Sequence, residues 1–307
     1  ALANDRKVNR KKLRKYEDRA KIIYGDIRKK SITDKVAVNI DFVIHTAAII
    51  PPMANSNPEL AEAVNFGGTN NLLKSIEEKS PNAFFLYTSS VAVYGDRLLN
   101  PEIRVGDELK PSFGDNYAVS KIKAERVVQS SNLRWSIFRL AAIMHFKQKF
   151  DPLMFNNPLD TRMEICTTRD TAFALSESIF KEKDLTGKIF NLGGGEKCRA
   201  IYRDFLNTSF SNSGLGLNAF PDEAFATANF HCGDYMDSDK LNDILHFQRD
   251  TIEDYYHMFT KEIGPVNIFL AKIFRPFIIN YFLKKSLPLI AQKKNDKAML
   301  ERYRPSN

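Results

Sequence analysis

The sequence predicts an α/β fold: a doubly wound parallel sheet followed by a smaller, mostly helical C-terminal cap. Three observations point there. Strand-like and helix-like segments alternate from about residue 21 to residue 192, an order that calls for right-handed crossovers with helices on both faces of a parallel sheet. Several strand candidates are near-continuous apolar runs, as expected of strands buried on both faces. Beyond Gly195 the segments shorten and turn residues become frequent, so the layered pattern stops there.

Each element has a local cause. Residues 21–24 (KIIY) read as a short strand ending at Gly25-Asp26, and residues 41–47 (DFVIHTA) as a buried strand. A helix starts at Pro58, beside Glu59, and runs to about Lys79. Proline suits a first turn because its missing N–H would be unpaired anyway, and an acid there meets the positive end of the helix. Residues 83–89 (AFFLYTS) form the next buried strand. Residues 115–129 have helical spacing, with Asp115 or Asn116 as the N-cap. Then come a strand over 134–141 (RWSIFRLA), a helix over 168–180 and a strand over 188–192 that runs into Gly193-Gly194-Gly195. That glycine run has no Lys-Ser/Thr of a phosphate loop and reads as a flexible domain junction. Residues 1–145 with about 167–194 are assigned to the sheet domain, 146–166 and 195–264 to the cap, and 265–307 to a basic amphipathic helical tail.

Composition narrows the function classes. The 307 residues are 43% hydrophobic and 27% charged, which excludes a disordered or collagenous chain. No motif repeats at a fixed period, so solenoids and propellers are excluded too. The three cysteines, Cys166, Cys198 and Cys232, are odd in number and far apart. They give neither a disulfide framework nor a CxxC zinc site, and a reducing, cytoplasmic compartment is the default. His231 adjoins Cys232 without a second ligand pair, so no metal is expected. The net charge of +8 is unevenly placed: residues 1–30 hold 12 basic and 4 acidic side chains, residues 265–307 hold 9 and 2, and the middle holds 24 and 31. Basic ends around an acidic body argue against a nucleic-acid enzyme, which would carry its cations in a groove of the folded body. The start is polar, without the apolar core of a secretory signal. It begins with Ala1 rather than methionine, as expected of a segment of a longer reading frame.

In sheets of this kind the ligand crevice lies at the carboxyl ends of the strands. Those ends carry His45-Thr46-Ala47-Ala48, Thr88-Ser89-Ser90 and Arg139-Leu140-Ala141, with Tyr117-Ala-Val-Ser-Lys121 between the second and third. Tyr117 and Lys121 share one helix face. An ammonium beside a phenol stabilises the phenolate and lowers its pKa from about 10, which suits proton exchange with an alcohol/carbonyl pair. A hydroxyl from Ser90, 27 residues earlier, could hold the same oxygen as charge develops on it. His45, on an apolar strand, reads as a satisfied core residue.

Serine-bearing strand end, Tyr-x-x-x-Lys helix and following Arg139 strand together resemble the extended short-chain dehydrogenase/reductase family. That family includes nucleotide-sugar epimerases, dehydratases and 3β-hydroxysteroid dehydrogenase-like enzymes. The resemblance covers about residues 25–194 and is looser in the cap. It implies a Rossmann-like domain that binds NAD or NADP. By position it makes Tyr117 the acid/base, Lys121 the residue that tunes Tyr117 and anchors the ribose, and Ser90 the polarising hydroxyl. Ser90 rather than Ser89 is chosen because it stands five residues before Gly95 of Val93-Tyr94-Gly95. The implied cofactor contacts are Asp26 with Ile27, Ala47, Ala48, Asn65, Ser89, Tyr117, Lys121, Arg139, Leu140 and Ala141. Thr168-Arg169-Asp170 stands where the family has an HVDD-like segment. The chain departs from the family in one respect: its first glycine is Gly25, and no Gly-x-x-Gly-x-x-Gly spacing occurs in it. The first strand and the turn that meets the pyrophosphate are therefore expected to be missing.

The function expected is hydride transfer between nicotinamide and a secondary alcohol or ketone, by an oxidoreductase or an epimerase/dehydratase. The substrate is a nucleotide sugar or, given Ile49-Ile50-Pro51-Pro52 and Met53 near the cleft, a hydrophobic alcohol or ketone. The alternative, raised by the missing glycine turn, is a non-catalytic nucleotide- or ligand-binding protein that keeps the fold. A homodimer is implied by the resemblance alone. In the tail, Ile268, Phe269, Ile273, Phe274, Phe277 and Ile278 alternate with cations. That stretch could make peripheral contact with an anionic membrane or pack against the cap or a second subunit, and packing is the expectation.

Overall fold

Alternating side chains on one set of strands bury two apolar faces, and helices cover both. The computed structural model describes residues 1–147, 149–228 and 233–305. In chain order the elements are β1 (Leu2–Ala3), α1 (Lys7–Leu13), β2 (Ile23–Tyr24), α2 (Lys30–Val36), β3 (Phe42–His45), α3 (Met53–Ser56), α4 (Pro58–Glu62) and α5 (Thr69–Lys79). Then come β4 (Phe84–Ser90), α6 (Asn116–Gln129), β5 (Arg134–Leu140), β6 (Ala142–Met144), β7 (Arg162–Thr167), α7 (Thr168–Glu177), α8 (Glu182–Leu185), β8 (Lys188–Leu192) and β9 (Arg199–Ile201). The rest is helical: α9 (Tyr202–Asn212), α10 (Asp239–Leu245), α11 (Ile252–Ile263), α12 (Pro265–Ile273), α13 (Arg275–Leu283), α14 (Leu287–Lys294) and α15 (Lys297–Tyr303).

The main sheet has the order β3-β4-β5-β8, all parallel. On one face Phe85, Tyr87 and Ile137 pack with Leu72, Leu73 and Ile76 of α5 and Ala124 and Val128 of α6. On the other, Phe84, Leu86 and Phe138 pack with Ala174 of α7, Leu185 of α8 and Leu241 and Leu245 of α10. The period of two along a strand thus turns one apolar run into two cores, and the doubly wound α/β architecture is present as expected.

Three features differ from the sequence reading. β3 is an edge strand: β1 and β2 pair with each other as a separate parallel ribbon. Ile44 consequently stays 36% exposed where burial on both faces was expected. The helix expected from Pro58 to Lys79 contains a wide π turn, Ala63–Gly68, which brings Asn65 inward to 1% exposure; such turns recur at functional sites. And β6, β7 and β9, which the sequence reading did not pick out, form a second, mixed sheet beside the mostly helical cap.

That second sheet locks the glycine run that was expected to flex. The buried Glu164 carboxylate of β7 accepts from Gly195 N at 3.0 Å, Arg199 Nε at 2.8 Å and Met236 N at 3.2 Å, and also from the Ser238 hydroxyl. A Cβ at Gly193 would sit 2.1 Å from Glu164 Oε1. The glycines are needed for close packing, and the junction is tied at both ends. His231 and Cys232 lie outside the described residues.

The cap has its own core, centred on Phe155, Phe205, Phe210, Phe220, Tyr255 and Phe259. Phe155 is fully buried, 5.2 Å from the Phe220 ring and 5.1 Å from the Phe225 ring. Phe155→Ala is expected to lower stability by about 3–5 kcal/mol in urea unfolding through the cavity it leaves. Phe113→Ala, at a site 74% exposed, should cost next to nothing.

Candidate active site

One helix face and two strand ends bring the predicted catalytic residues together. β4 is buried along its length except at its last residue, Ser90, which pairs with Leu140 of β5. Ser90 Oγ accepts from Ala92 N at 3.2 Å and so starts the tight turn Val91–Tyr94. Gly95 ends that turn at φ +68°, and a Cβ there would meet the Lys110 carbonyl oxygen at 1.8 Å, so only glycine fits. α6 starts where Asp115 Oδ1 accepts from Ala118 N at 3.0 Å. With the helix start set, a spacing of four stacks Tyr117, Lys121 and Glu125 on one face.

Tyr117 is half-buried. Exclusion from water pushes its phenol up to about 12; the neighbouring Ser90 hydroxyl opposes that rise and the Asp115 charge adds to it. Lys121 is 2% exposed. Its Nζ donates to the Thr88 carbonyl oxygen at 2.6 Å, and lies 4.5 Å from the Tyr87 ring centre and 6.0 Å from that of Tyr117. Burial pulls this amine down to about 7 against the pull of Glu125. The expected lowering of the tyrosine pKa by the lysine is therefore reversed in the free chain. Desolvation outweighs the charge pair, and the amine faces Thr88 and Tyr87 more closely than the phenol.

The other predicted residues fall into two groups. At the crevice edge, Ala47 is exposed and Ala48 half-buried just beyond β3, and Leu140 and Ala141 end β5. Ser89 is buried, and its hydroxyl has no partner among the described residues. The remainder hold the fold. Asp26 pairs with the Arg28 guanidinium and accepts from Arg28 N at 3.0 Å, which keeps its carboxyl below the ordinary range. Ile27 is a core side chain, set so close that a Cβ on Gly68 would lie 2.5 Å from it. Asn65 accepts from Ile49 N at 2.7 Å and donates to Ile49 O at 3.0 Å and Ser120 Oγ at 2.9 Å. It latches the loop after Ala47-Ala48 onto α6. The Arg139 side chain, 3% exposed, turns inward to Glu125 (2.7 and 3.0 Å), the Tyr94 hydroxyl (2.8 Å) and Val105 O (3.1 Å); it is engaged within the protein. Thr167 caps α7, and Asp170 accepts from Arg249 N and Asp250 N at 2.9 and 2.8 Å, so the segment 168–170 fastens α7 to residues 249–250. His45 is buried and bonds Thr69 Oγ1 at 2.9 Å, as a core histidine.

Glu125 and Tyr94 were not picked out from the sequence. Glu125 had a signal: it continues the spacing of four from Tyr117 and Lys121 on a face that turns inward. Tyr94 gave none, because its partners Arg139 and Asn191, the latter at 2.8 Å, come from distant strands.

Comparison with known proteins bears on the fold that carries these residues. Residues 3–138 match the model of the 3-beta hydroxysteroid dehydrogenase/isomerase family. A 3 beta-hydroxysteroid dehydrogenase/Delta 5-->4-isomerase of Mycobacterium tuberculosis is 33% identical over 119 residues, covering 36% of this chain but 31% of that protein. The matched region thus spans about a third of that relative's length. Among solved structures, a double mutant of dTDP-glucose 4,6-dehydratase from Streptomyces venezuelae with NAD and DAU bound superposes with a TM-score of 0.68 at 19% identity over 83% of each chain. RMD from Pseudomonas aeruginosa complexed with NADPH gives a TM-score of 0.59 at 18% identity, over 82% of this chain and 94% of that one. At these identities the structures establish the shared fold.

Two stability outcomes follow from the buried face of α6. Glu125→Ala leaves the Arg139 cation buried without its carboxylate and is expected to cost about 3–5 kcal/mol in urea unfolding, much of it regained in a Glu125→Leu/Arg139→Met double variant. Folding also lowers the Lys121 pKa from 10.5 to about 7. Between those values the unfolded chain binds more protons than the folded one, so stability rises with pH. From about pH 7.5 to 9.5 the protein should gain stability relative to Lys121→Met, with a limiting slope of about 1.4 kcal/mol per pH unit. Parallel slopes for the two would show a solvated lysine.

Proposed function

We propose that this chain belongs to the extended short-chain dehydrogenase/reductase family and is part of an NAD- or NADP-dependent oxidoreductase or epimerase/dehydratase that acts on a secondary alcohol or its ketone. The observation that carries the reading is that Ser90, the last residue of β4, lies near enough to Tyr117 of α6 to act on its phenol, with Lys121 buried one helical turn along. The unpartnered Ser89 hydroxyl and the small side chains of Ala47 and Ala48 at the same edge suit close approach of the ribose and nicotinamide. When bound, the nicotinamide supplies or accepts the hydride.

The chain's own residues do the rest. At neutral pH a phenol held near 12 carries its proton, so Tyr117 is set to give it to a substrate oxygen. The Ser90 hydroxyl donates to the same oxygen and steadies the charge that develops there. In the opposite direction Tyr117 accepts the alcohol proton. Lys121, which uses one of its donors on Thr88 O, has donors left for a ribose hydroxyl. Asn65 acts as a positioning residue through the loop it latches. The substrate lies between the strand ends and the cap. The exposed Ile50 and Met53, 59% and 41% accessible, favour an apolar alcohol or ketone, and a nucleotide sugar is the second class. Residues 1–145 with about 167–194 form the dinucleotide-binding part, residues 146–166 and 195–264 the cap, and a homodimer is the expected assembly.

A second reading, a ligand-binding protein without turnover, is favoured by one observation: these 307 residues contain no Gly-x-x-Gly-x-x-Gly turn. Titration of NADH and NADPH into the full-length protein, with turnover followed on secondary alcohols and ketones, separates the two. Tyr117→Phe is expected to retain dinucleotide affinity within about threefold and to lose about 10²–10⁴ in kcat. Binding without turnover in the unaltered protein would favour the second reading, and equal turnover in the variant would overturn the role of Tyr117.

A further inference from the structure

After α11 the chain makes a feature that the proposed reaction does not use. α12 and α13 are nine residues each and meet at a 77° bend around Phe274. Their inner side is anchored: Ala271, Ile278, Ile279, Phe282 and Leu283 pack against the cap core. This fulfils the packing expected of the stretch, but for one side only.

The outer side is apolar and bare. Val266, Phe269, Leu270 and Ile273 follow the spacing 0, 3, 4, 7 along α12, and Phe274, Phe277 and Tyr281 follow 0, 3, 7 into α13. These side chains are 42–74% exposed. A helical stripe of this kind is the pattern of a buried face, here turned to solvent, and contiguous apolar surface marks an interaction site. Along this stretch of chain the charge has a single sign. No Asp or Glu occurs between Glu262 and Asp296, whereas Lys272, Arg275, Lys284, Lys285, Lys293 and Lys294 do, all six exposed. At the bend a cavity of about 530 Å³ opens between the 214–217 turn and the side chains of Lys272 and Arg275. Arg275 is held in place there by its Nε donating to Leu215 O at 2.6 Å.

We propose that the α12–α13 elbow is a peripheral docking surface for an anionic phospholipid bilayer. Its aromatic and aliphatic stripe enters the headgroup–acyl boundary, the flanking lysines meet the anionic headgroups, and the Lys272/Arg275 cavity receives a lipid phosphate. Both lipid layers find their counterpart along the elbow: the apolar stripe, with Lys272 and Arg275 at the bend and Lys285 against Tyr281. A second copy of the chain fits poorly, because two such faces would bring two all-basic stretches together. The elbow is bent 77° rather than continuous. Each nine-residue helix is about 14 Å long against a hydrocarbon core of about 30 Å, and the inner side is attached to the cap. Among the described residues no single helix is long and apolar enough to cross a membrane.

The test is co-sedimentation of the full chain with vesicles of phosphatidylcholine, with and without phosphatidylserine. The full chain is expected to pellet with the phosphatidylserine vesicles and to be released by salt. Phe269→Ser/Phe277→Ser and Lys272→Gln/Lys284→Gln/Lys285→Gln should each weaken that binding at least about tenfold, with unchanged circular dichroism and urea midpoint. All five sites are on the surface, so folding is preserved. Absence of vesicle binding, equal binding to neutral vesicles, or binding by both variants at the level of the unaltered chain would overturn the proposal. So would a dimer in sedimentation velocity that Phe269→Ser/Phe277→Ser dissolves in the absence of vesicle binding. None of these outcomes bears on Ser90 or Tyr117.

Discussion

The burial of an amine beneath a phenol is the constraint on which the site depends. Lys121 has almost no contact with water, and its proton is kept by two weak supports, the Thr88 carbonyl and the Tyr87 ring face, together with the more distant Glu125 charge. The carboxylate that might have paired with it directly is taken by Arg139. A lysine so placed is charged only in part near neutral pH, and a ligand that brings electron-rich oxygens to the crevice would restore its charge. The phenol next to it responds in the opposite sense. It is kept neutral by desolvation. Desolvation therefore outweighs the tuning expected from the Tyr-x-x-x-Lys spacing.

This arrangement depends on packing at two removes. α6 can present Tyr117, Lys121 and Glu125 to the sheet only because small or apolar residues, Ala118, Ile122, Ala124 and Val128, line the remainder of its buried side. The Arg139–Glu125 pair then fixes the rotation of α6 against β5, and Tyr94 and Asn191 carry the same network to β8. Burying so many polar groups is tolerable because nearly every donor has an acceptor. Two of the exceptions are in β4: the Tyr87 hydroxyl, in mid-strand on the residue whose ring Lys121 faces, and the Ser89 hydroxyl, next to the strand end, where a ligand would supply its partner.

Local signals in the sequence were sufficient for the sheet. The runs ending at His45, Ser90 and Leu140 alternate two apolar faces, and Asp115 and Pro58 start their helices by capping chemistry that can be read one turn at a time. The placement of Ser90, Tyr117 and Lys121 was legible for the same reason: Ser90 ends a recognisable strand, and Tyr117 and Lys121 lie in a helix whose start Asp115 marks. What could not be read depends on distant partners. The inward turn of Arg139 requires Glu125, Tyr94 and the Val105 carbonyl, none of which adjoins it in the chain. The rigidity of Gly193–Gly195 requires Glu164 of another strand, and glycine alone suggested the opposite. β6, β7 and β9 are three to six residues long, too short to show a period. The tail was half legible, since its apolar spacing was visible but the side that meets the cap was not.

Lysine side-chain NMR of the protein labelled with 13C at Cε, with the Lys121 resonance assigned by its loss in Lys121→Met, tests the buried amine most directly. The account predicts one lysine that titrates near 7 and moves upward when a dinucleotide is added. A Lys121 resonance that titrates at about 10.4 in the free protein, as solvated lysines do, would contradict it.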